Sequence, residues 1–478
     1  MKKFLISCTY VYPLCPLNIN HTKMFVVADI IARNERRKRK NVFFPIGFHY
    51  SGNSVQNISK IFTKFFSKDN TTKNNKEKRL FNLYKNIYNI PIPILKTFIN
   101  PLNILEFYTQ EILRELKLLN ISCDYKNFYT TEHKDFSIFV NTIISMYEKN
   151  NLLVNNKKGD LALDYNNDKW KKKTFDLINR AEFFQSFHKN NIVSAMEDVR
   201  NDWGLLRKDG FGVNYKKDWI VDPMFDSEVF SIFDLYIKFK NEYKRTINVE
   251  NFFRNLFKTL KNKEKPENIL IDKIADFLPC DVLICEEYLK NWVVKKLYAE
   301  SLLLNKKYQT KKYFILGIGF LNGKQMSASK GHAILTKDLI DRYGPIKARL
   351  MILLTGGHPS KMYEYNKTLP VQADKLLNNF MSHYAHLLSI IDKKVYRDRP
   401  QKESLTSELI KSICNNIEKN IQKGYYRQAV IELLSILPKE YYKFPAIKTA
   451  HFLISVYKKY VDILLPNLLN NLVYYKKR

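Results

Sequence analysis

Two short segments, far apart in the chain, hold the side chains best suited to chemistry. Pro13-Leu-Cys-Pro-Leu-Asn-Ile-Asn-His21 carries Asn18, Asn20 and the imidazole of His21. Gly323-Lys-Gln-Met-Ser-Ala-Ser-Lys-Gly331 carries Lys324, Lys330, Ser327 and Ser329 around Met326, and ends at Gly331. Amide, imidazole, hydroxyl and ammonium groups all donate hydrogen bonds to anionic oxygens. A helix start, to which the first segment leads, favours the same partners. The chain shows no Walker loop, no metal-ligand cluster and no Ser/His/Asp triad pattern.

Positioning those groups requires a scaffold. Residues 4–10 are continuously apolar enough to be a fully buried strand. A Pro-punctuated loop over 12–20 follows. From about Asn20 a helix is expected, with Met24, Val27, Ile30 and Ile31 inward and Lys23, Asp29 and Arg33 on the opposite face. It ends in the basic run Arg36–Lys40, read as a solvated helix end, and residues 41–46 form a second strand. Strand, loop, helix, strand is the opening of a parallel nucleotide-binding sheet. Residues 65–80 are polar and lysine-rich, a loop; 170–206 read as helical; 313–321 are a buried strand running into the second segment. Beyond about 356 the chain reads as helices, ending in the aromatic and basic tail Tyr474–Arg478.

Composition narrows the class. Of 478 residues, 45% are hydrophobic, enough for a sizeable core and, on length, about three domains. No apolar run is long enough for a membrane span, and no membrane partner is expected. Met1–Cys8 is too short for a signal peptide and reads as the first strand. The net charge of +32 favours a polyanion, tRNA or another RNA, although lysine richness is also a compositional bias of the whole chain. Lys306-Lys-Tyr308 and Lys311-Lys312 either clasp single-stranded RNA or are solvated lysines. The six cysteines form no CxxC pair, so no zinc is expected, and scattered thiols fit a reducing, cytoplasmic compartment.

Taken together, the two segments resemble the HIGH and KMSKS signatures of class I aminoacyl-tRNA synthetases. Between and after them, further stretches resemble leucyl-tRNA synthetase of the archaeal and eukaryotic cytosolic branch. Asn41-Val-Phe-Phe-Pro-Ile-Gly-Phe-His-Tyr-Ser-Gly52 matches that branch's "NVLFPFGFHCTG". Asp124–Thr131 resembles "DWRREFTTT", Asp202–Gly212 resembles "DWACSRRIGLG", Trp219–Ser227 resembles "WIIESLSDS" and Asp341–Arg349 resembles "EKYGADALR". These matches keep the family's order.

The resemblance implies an α/β fold: a Rossmann-like parallel-sheet catalytic domain with a reduced helical insertion, followed by an α-helical C-terminal region. Its parts would be 1–58, the first catalytic half with the HIGH-like motif; 59–200, a reduced connective insertion without the editing domain; 201–355, the second half with the KMSKS-like motif; and 356–478, helical and anticodon-binding-domain-like. It implies ATP with magnesium, an apolar amino acid such as leucine, and tRNA. His21, Lys330, Ser327 and Ser329 would be catalytic. Asn18, Asn20, Met326, Gly331 and Glu286 would bind ATP, with Glu286 or Glu287 on the ribose. Tyr12, His49 and Trp203 would surround the amino acid. Trp203 and Trp219 are also read as core aromatics, and Asp226 and Ser227 as a helix N-cap.

Departures from the family are equally specific. Asn18 replaces the first histidine of HIGH and Asn20 its glycine. Gln325 and Ala328 stand where KMSKS has its two lysines. The family's "SGKDL" is replaced near Cys285-Glu-Glu. Activation of leucine or a similar amino acid and transfer to tRNA, without proofreading, is the expected function. Two alternatives stand beside it: a degenerate paralogue that binds RNA or protein, and an adenylate-forming enzyme with another acceptor.

Overall fold

The computed structural model describes residues 1–67, 74–157, 159–199, 203–208, 210–215, 219–225, 228–244, 246–286, 290–393, 400–443 and 445–470. Asp202, Asp226, Ser227, Glu287 and the tail from Tyr474 lie outside these residues.

A five-stranded sheet forms the centre. Its strands are β1 (Lys3–Cys8), β2 (Asn41–Phe43), β3 (Glu182–Phe183), β4 (Val282–Glu286) and β5 (Lys312–Leu316), in the spatial order β2-β1-β4-β5-β3. Every pairing is parallel; Lys3 faces Asn41, Ile6 faces Val282 and Leu283 faces Tyr313. Side chains alternate along each strand. Phe4, Ile6, Ile284 and Phe314 therefore enter one core, while Leu5, Leu283, Cys285 and Tyr313 enter another on the opposite face. A sheet buried on both faces explains why these strands are apolar without interruption. The order of strands reverses direction around β1 and β4, which leaves a crevice at their C-terminal ends.

The first core also holds helix Ile19–Arg37 and the C-terminal helices Leu369–Lys393, Pro400–Lys423 and Ile447–Leu464. The second holds helices of the middle of the chain, including Lys134–Lys149, Phe230–Tyr243 and Val249–Asn262. Among the described residues no helix is long and apolar enough to cross a membrane.

Several sequence expectations change. Residues 65–80 are not one loop: helix Asn53–Phe66 precedes them and helix Asn75–Asn82 begins inside them, with an Asn74/Glu77 capping box. The stretch 170–206 is broken into helices Asp168–Arg180 and Phe187–Glu197 around β3. β3 pairs with β5, so a stretch expected as insertion supplies a strand of the central sheet. Helix Asn53–Phe66 likewise runs across the expected boundary at 58. A short antiparallel hairpin, Leu153–Asn155 with Leu161–Leu163, separates helix Lys134–Lys149 from helix Asp168–Arg180.

The face of helix Ile19–Arg37 expected to meet water is covered. Lys23 is 4% exposed and Asp29 is fully buried. The turn at Leu119–Ser122 and helices Pro345–Leu354 and Ile447–Leu464 pack there instead. Its basic end is also engaged: Arg36 donates to the Ser122 carbonyl at 3.0 Å, and Arg37 pairs with Glu418 at 2.6 Å. Lys38 and Lys40 both pair with Glu35.

Candidate active site

The site begins at the turn into the first helix. Asn18 is its N-cap: Oδ1 accepts from the amides of Asn20 at 2.9 Å and His21 at 3.4 Å. The Ile19 amide donates to the Ile334 carbonyl and the Thr22 amide to the Asn18 carbonyl, each at 3.0 Å. The first-turn amides that usually serve an anion are thus already satisfied. Phosphate affinity here must come from side chains.

Asn20 does not lie in open space either. Its Oδ1 accepts from Tyr363 Oη at 2.7 Å and from the Gly319 amide at 3.1 Å. A side chain at Gly319 would strike that oxygen at 2.5 Å, so only glycine lets the strand after β5 come this close. Behind Asn20, Lys23 Nζ stands 4.1 Å from the Tyr363 ring centroid and has no hydrogen-bond partner. Burial pushes the Lys23 ammonium down to about 7.

The second segment forms a compact turn. Residues Ala328–Lys330 make a 3-10 turn closed by Gly331 in the left-handed conformation, φ 69°. Ser327 and His332 exchange backbone hydrogen bonds at 2.7 and 3.1 Å, and His332 Nε2 bonds the Leu321 carbonyl at 2.8 Å. Ser327 and Ser329 hydroxyls lie 3.2 Å apart. After this turn the chain bridges back to the first helix through the Asn18–Leu335 pairing and the Thr22–Thr336 hydroxyl contact.

Both segments face one cavity of about 410 Å³ at the C-terminal ends of β4 and β5. Asn18, Asn20, His21, Glu286, Met326, Ser327, Ser329 and Lys330 all line it. Cys15, Gly317, Ile318, Gln325 and Ala328 complete the wall. His21 Nε2 approaches Glu286 Oε2 at 3.9 Å, while its Nδ1 is buried without a hydrogen-bond partner. Lys330 is exposed at the rim. Gly331 sits behind the wall, where a side chain would strike Leu83 at 2.9 Å.

The residues expected to hold an amino acid divide into two groups. Tyr12 and His49 are neighbours, ring centroids 5.8 Å apart. Tyr12 also borders Gly52, and the same point is reached by Pro223. Trp203 stands elsewhere: it is 43% exposed and covers Lys295, whose Nζ is 3.8 Å from its ring centroid. Trp219 is partly buried in the second core.

Cys15, Gly317 and Ile318 were not singled out from the sequence. The Gly317-x-Gly319 pair after an apolar strand was an available signal. A side chain at Gly317 would meet the Lys361 backbone at 2.2 Å, so the chain crosses itself there. Burial pushes the Cys15 thiol up to about 12, which keeps it protonated. Among the described residues no group of three or more His, Cys, Asp or Glu side chains is placed to hold a metal ion. Of the basic pairs outside the site, Lys311 and Lys312 enter ion pairs, with Asp281 at 2.7 Å and Glu182 at 3.2 Å, while Lys307 lies over the Tyr308 ring at 5.1 Å.

Comparison with solved structures accounts for this arrangement. Methionyl-tRNA synthetase of Mycobacterium tuberculosis, in complex with methionyl-adenylate, superposes with a TM-score of 0.68 over 99% of this chain and 93% of that one, at 12% identity. A second structure of that enzyme, also bound by methionyl-adenylate, gives 0.66 at 11% identity over 99% of this chain. The fold is that of a class I aminoacyl-tRNA synthetase. In sequence, the chain is similar to leucine–tRNA ligase 2 of Sulfurisphaera tokodaii, 33% identical over 139 residues. It is also similar to the leucine–tRNA ligase of Archaeoglobus fulgidus, 27% identical over 139 residues. Each match takes in 29% of this chain and spans only 14% of the relative's length. No protein-family model matches the chain. The class I fold accounts for the crevice between β1 and β4 and for two distant segments meeting across it.

Proposed function

We propose that the chain activates an amino acid with ATP and passes it to tRNA, as a leucyl-type synthetase without proofreading. The observation that carries this reading is the single cavity at the sheet crevice, walled by both signature-like segments. Sequence similarity to leucine–tRNA ligases favours leucine or a similar apolar amino acid. The short hairpin at Leu153–Leu163 is consistent with a chain that does not edit.

In the first step, a carboxylate oxygen of the amino acid attacks the α-phosphorus of ATP. The bond to the bridging oxygen breaks and pyrophosphate leaves. The protein's task is to hold the reactants in line and to meet negative charge with donors. His21 stands in the cavity wall on one side, and Lys330 with Ser327 and Ser329 closes the other side. Asn18 and Asn20 shape the wall through their side-chain oxygens, which are occupied by internal hydrogen bonds, and leave their Nδ2 amides to donate. Glu286 can accept from a ribose hydroxyl at the strand end. Magnesium would enter with the triphosphate, whose oxygens suit it. Tyr12 and His49 would face the amino acid. In the second step a ribose hydroxyl of tRNA attacks the activated carbonyl and AMP leaves. Such a protein belongs in the cytoplasm.

A second reading has its own support. The occupied first-turn amides and the absent KMSKS lysines fit a paralogue that binds RNA or protein without catalysis. Calorimetry with ATP and with a leucyl-adenylate sulfamoyl analogue separates the two. An activating enzyme should bind the analogue at least 10²-fold more tightly than leucine. Absence of binding to both, by a folded protein, supports the paralogue.

A further inference from the structure

We propose that Tyr84 and Tyr88 form a clamp that holds both signature-like loops in place before any nucleotide arrives. The inference rests on the reading of the cavity as a nucleotide site. The two tyrosines sit in the π-helical turn Leu83–Ile87 and at its end. The wider turn carries the Tyr88 amide back to the Leu83 carbonyl at 2.9 Å and stacks the two rings edge to face, centroids 5.0 Å apart. Such single π-helical turns are rare and recur at functional sites.

Here each hydroxyl reaches a different loop. Tyr84 Oη donates to the Leu14 carbonyl at 2.6 Å, in the loop before the first helix. Tyr88 Oη donates to the Ala328 carbonyl at 2.6 Å, in the turn that carries Lys330. Both tyrosines are buried, 3% and 1% exposed. The grip is reinforced on the second loop. Leu83 and Ile87 press on Gly331, and Lys337 Nζ donates to the Tyr88 carbonyl at 3.2 Å. From behind, Phe62, Phe98 and Tyr108 pack against the pair and fix it to the insertion.

One turn of the insertion thus ties together the two halves of the cavity wall. A loop held through a buried phenol keeps its lysine at the rim without waiting for ATP, so less ordering remains to be done on binding. Tyr84 and Tyr88 are positioning residues, since neither lines the cavity.

The test uses the full chain with Tyr84→Phe, Tyr88→Phe and Lys337→Met. Phenylalanine keeps the ring packing and removes only the hydroxyl. Without ligand, Tyr88→Phe should speed amide hydrogen exchange over residues 326–332 by about tenfold and leave residues 14–21 unchanged. Tyr84→Phe should do the reverse, and Lys337→Met should follow Tyr88→Phe. In pyrophosphate exchange, Tyr88→Phe should raise KM for ATP by about tenfold while KM for the amino acid stays the same. Unchanged exchange in both loops, or an equal rise throughout the chain, overturns the clamp. If the wild-type protein shows no pyrophosphate exchange, the activation reading falls, but the hydrogen-exchange result still decides the clamp.

Discussion

Arg349 Nη2 donates to Asp29 Oδ2 at 2.6 Å in the interior, with Arg349 2% exposed and Asp29 fully buried. Arg349 also donates to the carbonyls of Leu464 at 2.9 Å and Leu119 at 3.1 Å, so one guanidinium ties the first helix to the turn at Leu119–Ser122 and to the end of helix Ile447–Leu464. Burial pushes the Asp29 carboxyl up, but Arg349, Arg33 and two hydrogen bonds from Ser122 outweigh it and hold the group below its ordinary value. Replacing Arg349 by Met should destabilise the protein by about 3–5 kcal/mol at pH 7, because a buried ion pair is broken and the Asp29 carboxylate keeps only Arg33 and Ser122. Urea titration measures this. The sign of the pH effect follows from the lowered value. Wild-type Asp29 contributes stability above its unfolded value and loses it as pH falls through the folded one. In Arg349→Met the same carboxyl loses the largest of the influences that lower it, so the gap between variant and wild type should narrow toward acid. A constant gap contradicts the pairing.

Lys23 has the opposite dependence. Its ammonium is lowered to about 7 by burial, against an ordinary value of 10.5. Between those two values the unfolded chain binds more protons than the folded one, so stability should rise with pH across that window. Lys23→Met should be more stable than wild type at pH 7 by a few kcal/mol, on the order of 2–4, with the gain vanishing near pH 10.5. A gain that does not change with pH would mean Lys23 is not neutral in the folded protein.

Asn20→Gly restores the family residue yet should not restore the family site. It removes the acceptor for Tyr363 Oη and the Gly319 amide and places glycine in the first turn of a helix. A loss of about 1–3 kcal/mol is expected, since two donors lose a partner. Thermal unfolding checks it. An unchanged melting temperature would show that Asn20 is not the tie between the first helix and the strand after β5.

Lys330→Ala should leave thermal stability within about 0.5 kcal/mol of wild type, because the side chain is exposed and has no ion pair among the described residues. Adenylate formation should fall by 10²–10³-fold, on the order expected when a donor to developing charge is lost. Equal activity would remove Lys330 from the site.

The sequence reading placed β1, the first helix, β2, β5 and both signature-like segments, and the structure brings those segments onto one cavity. These were legible because apolar runs and local spacing mark them. What escaped depends on partners distant in sequence. Lys23 and Asp29 look like a polar helix face, and it takes Ser122, Arg349 and Tyr363, all distant in sequence, to make burial tolerable. Asn18 and Asn20 read as eroded ligands, whereas their oxygens serve as a helix cap and an inter-element tie. β3 is only two residues long, too short for any periodic signal. Tyr84 and Tyr88 lie in a stretch of mixed apolar and polar residues whose π-helical turn has no pattern of its own. Trp203 matched its family segment in type, but it lies at the surface over Lys295.

Amino-acid-dependent ATP–pyrophosphate exchange, run against all twenty amino acids with and without total tRNA, tests the central claim most directly. Exchange with leucine or one similar apolar amino acid, abolished by Lys330→Ala, is the predicted result. A folded protein that supports no exchange with any amino acid, with or without tRNA, would contradict it.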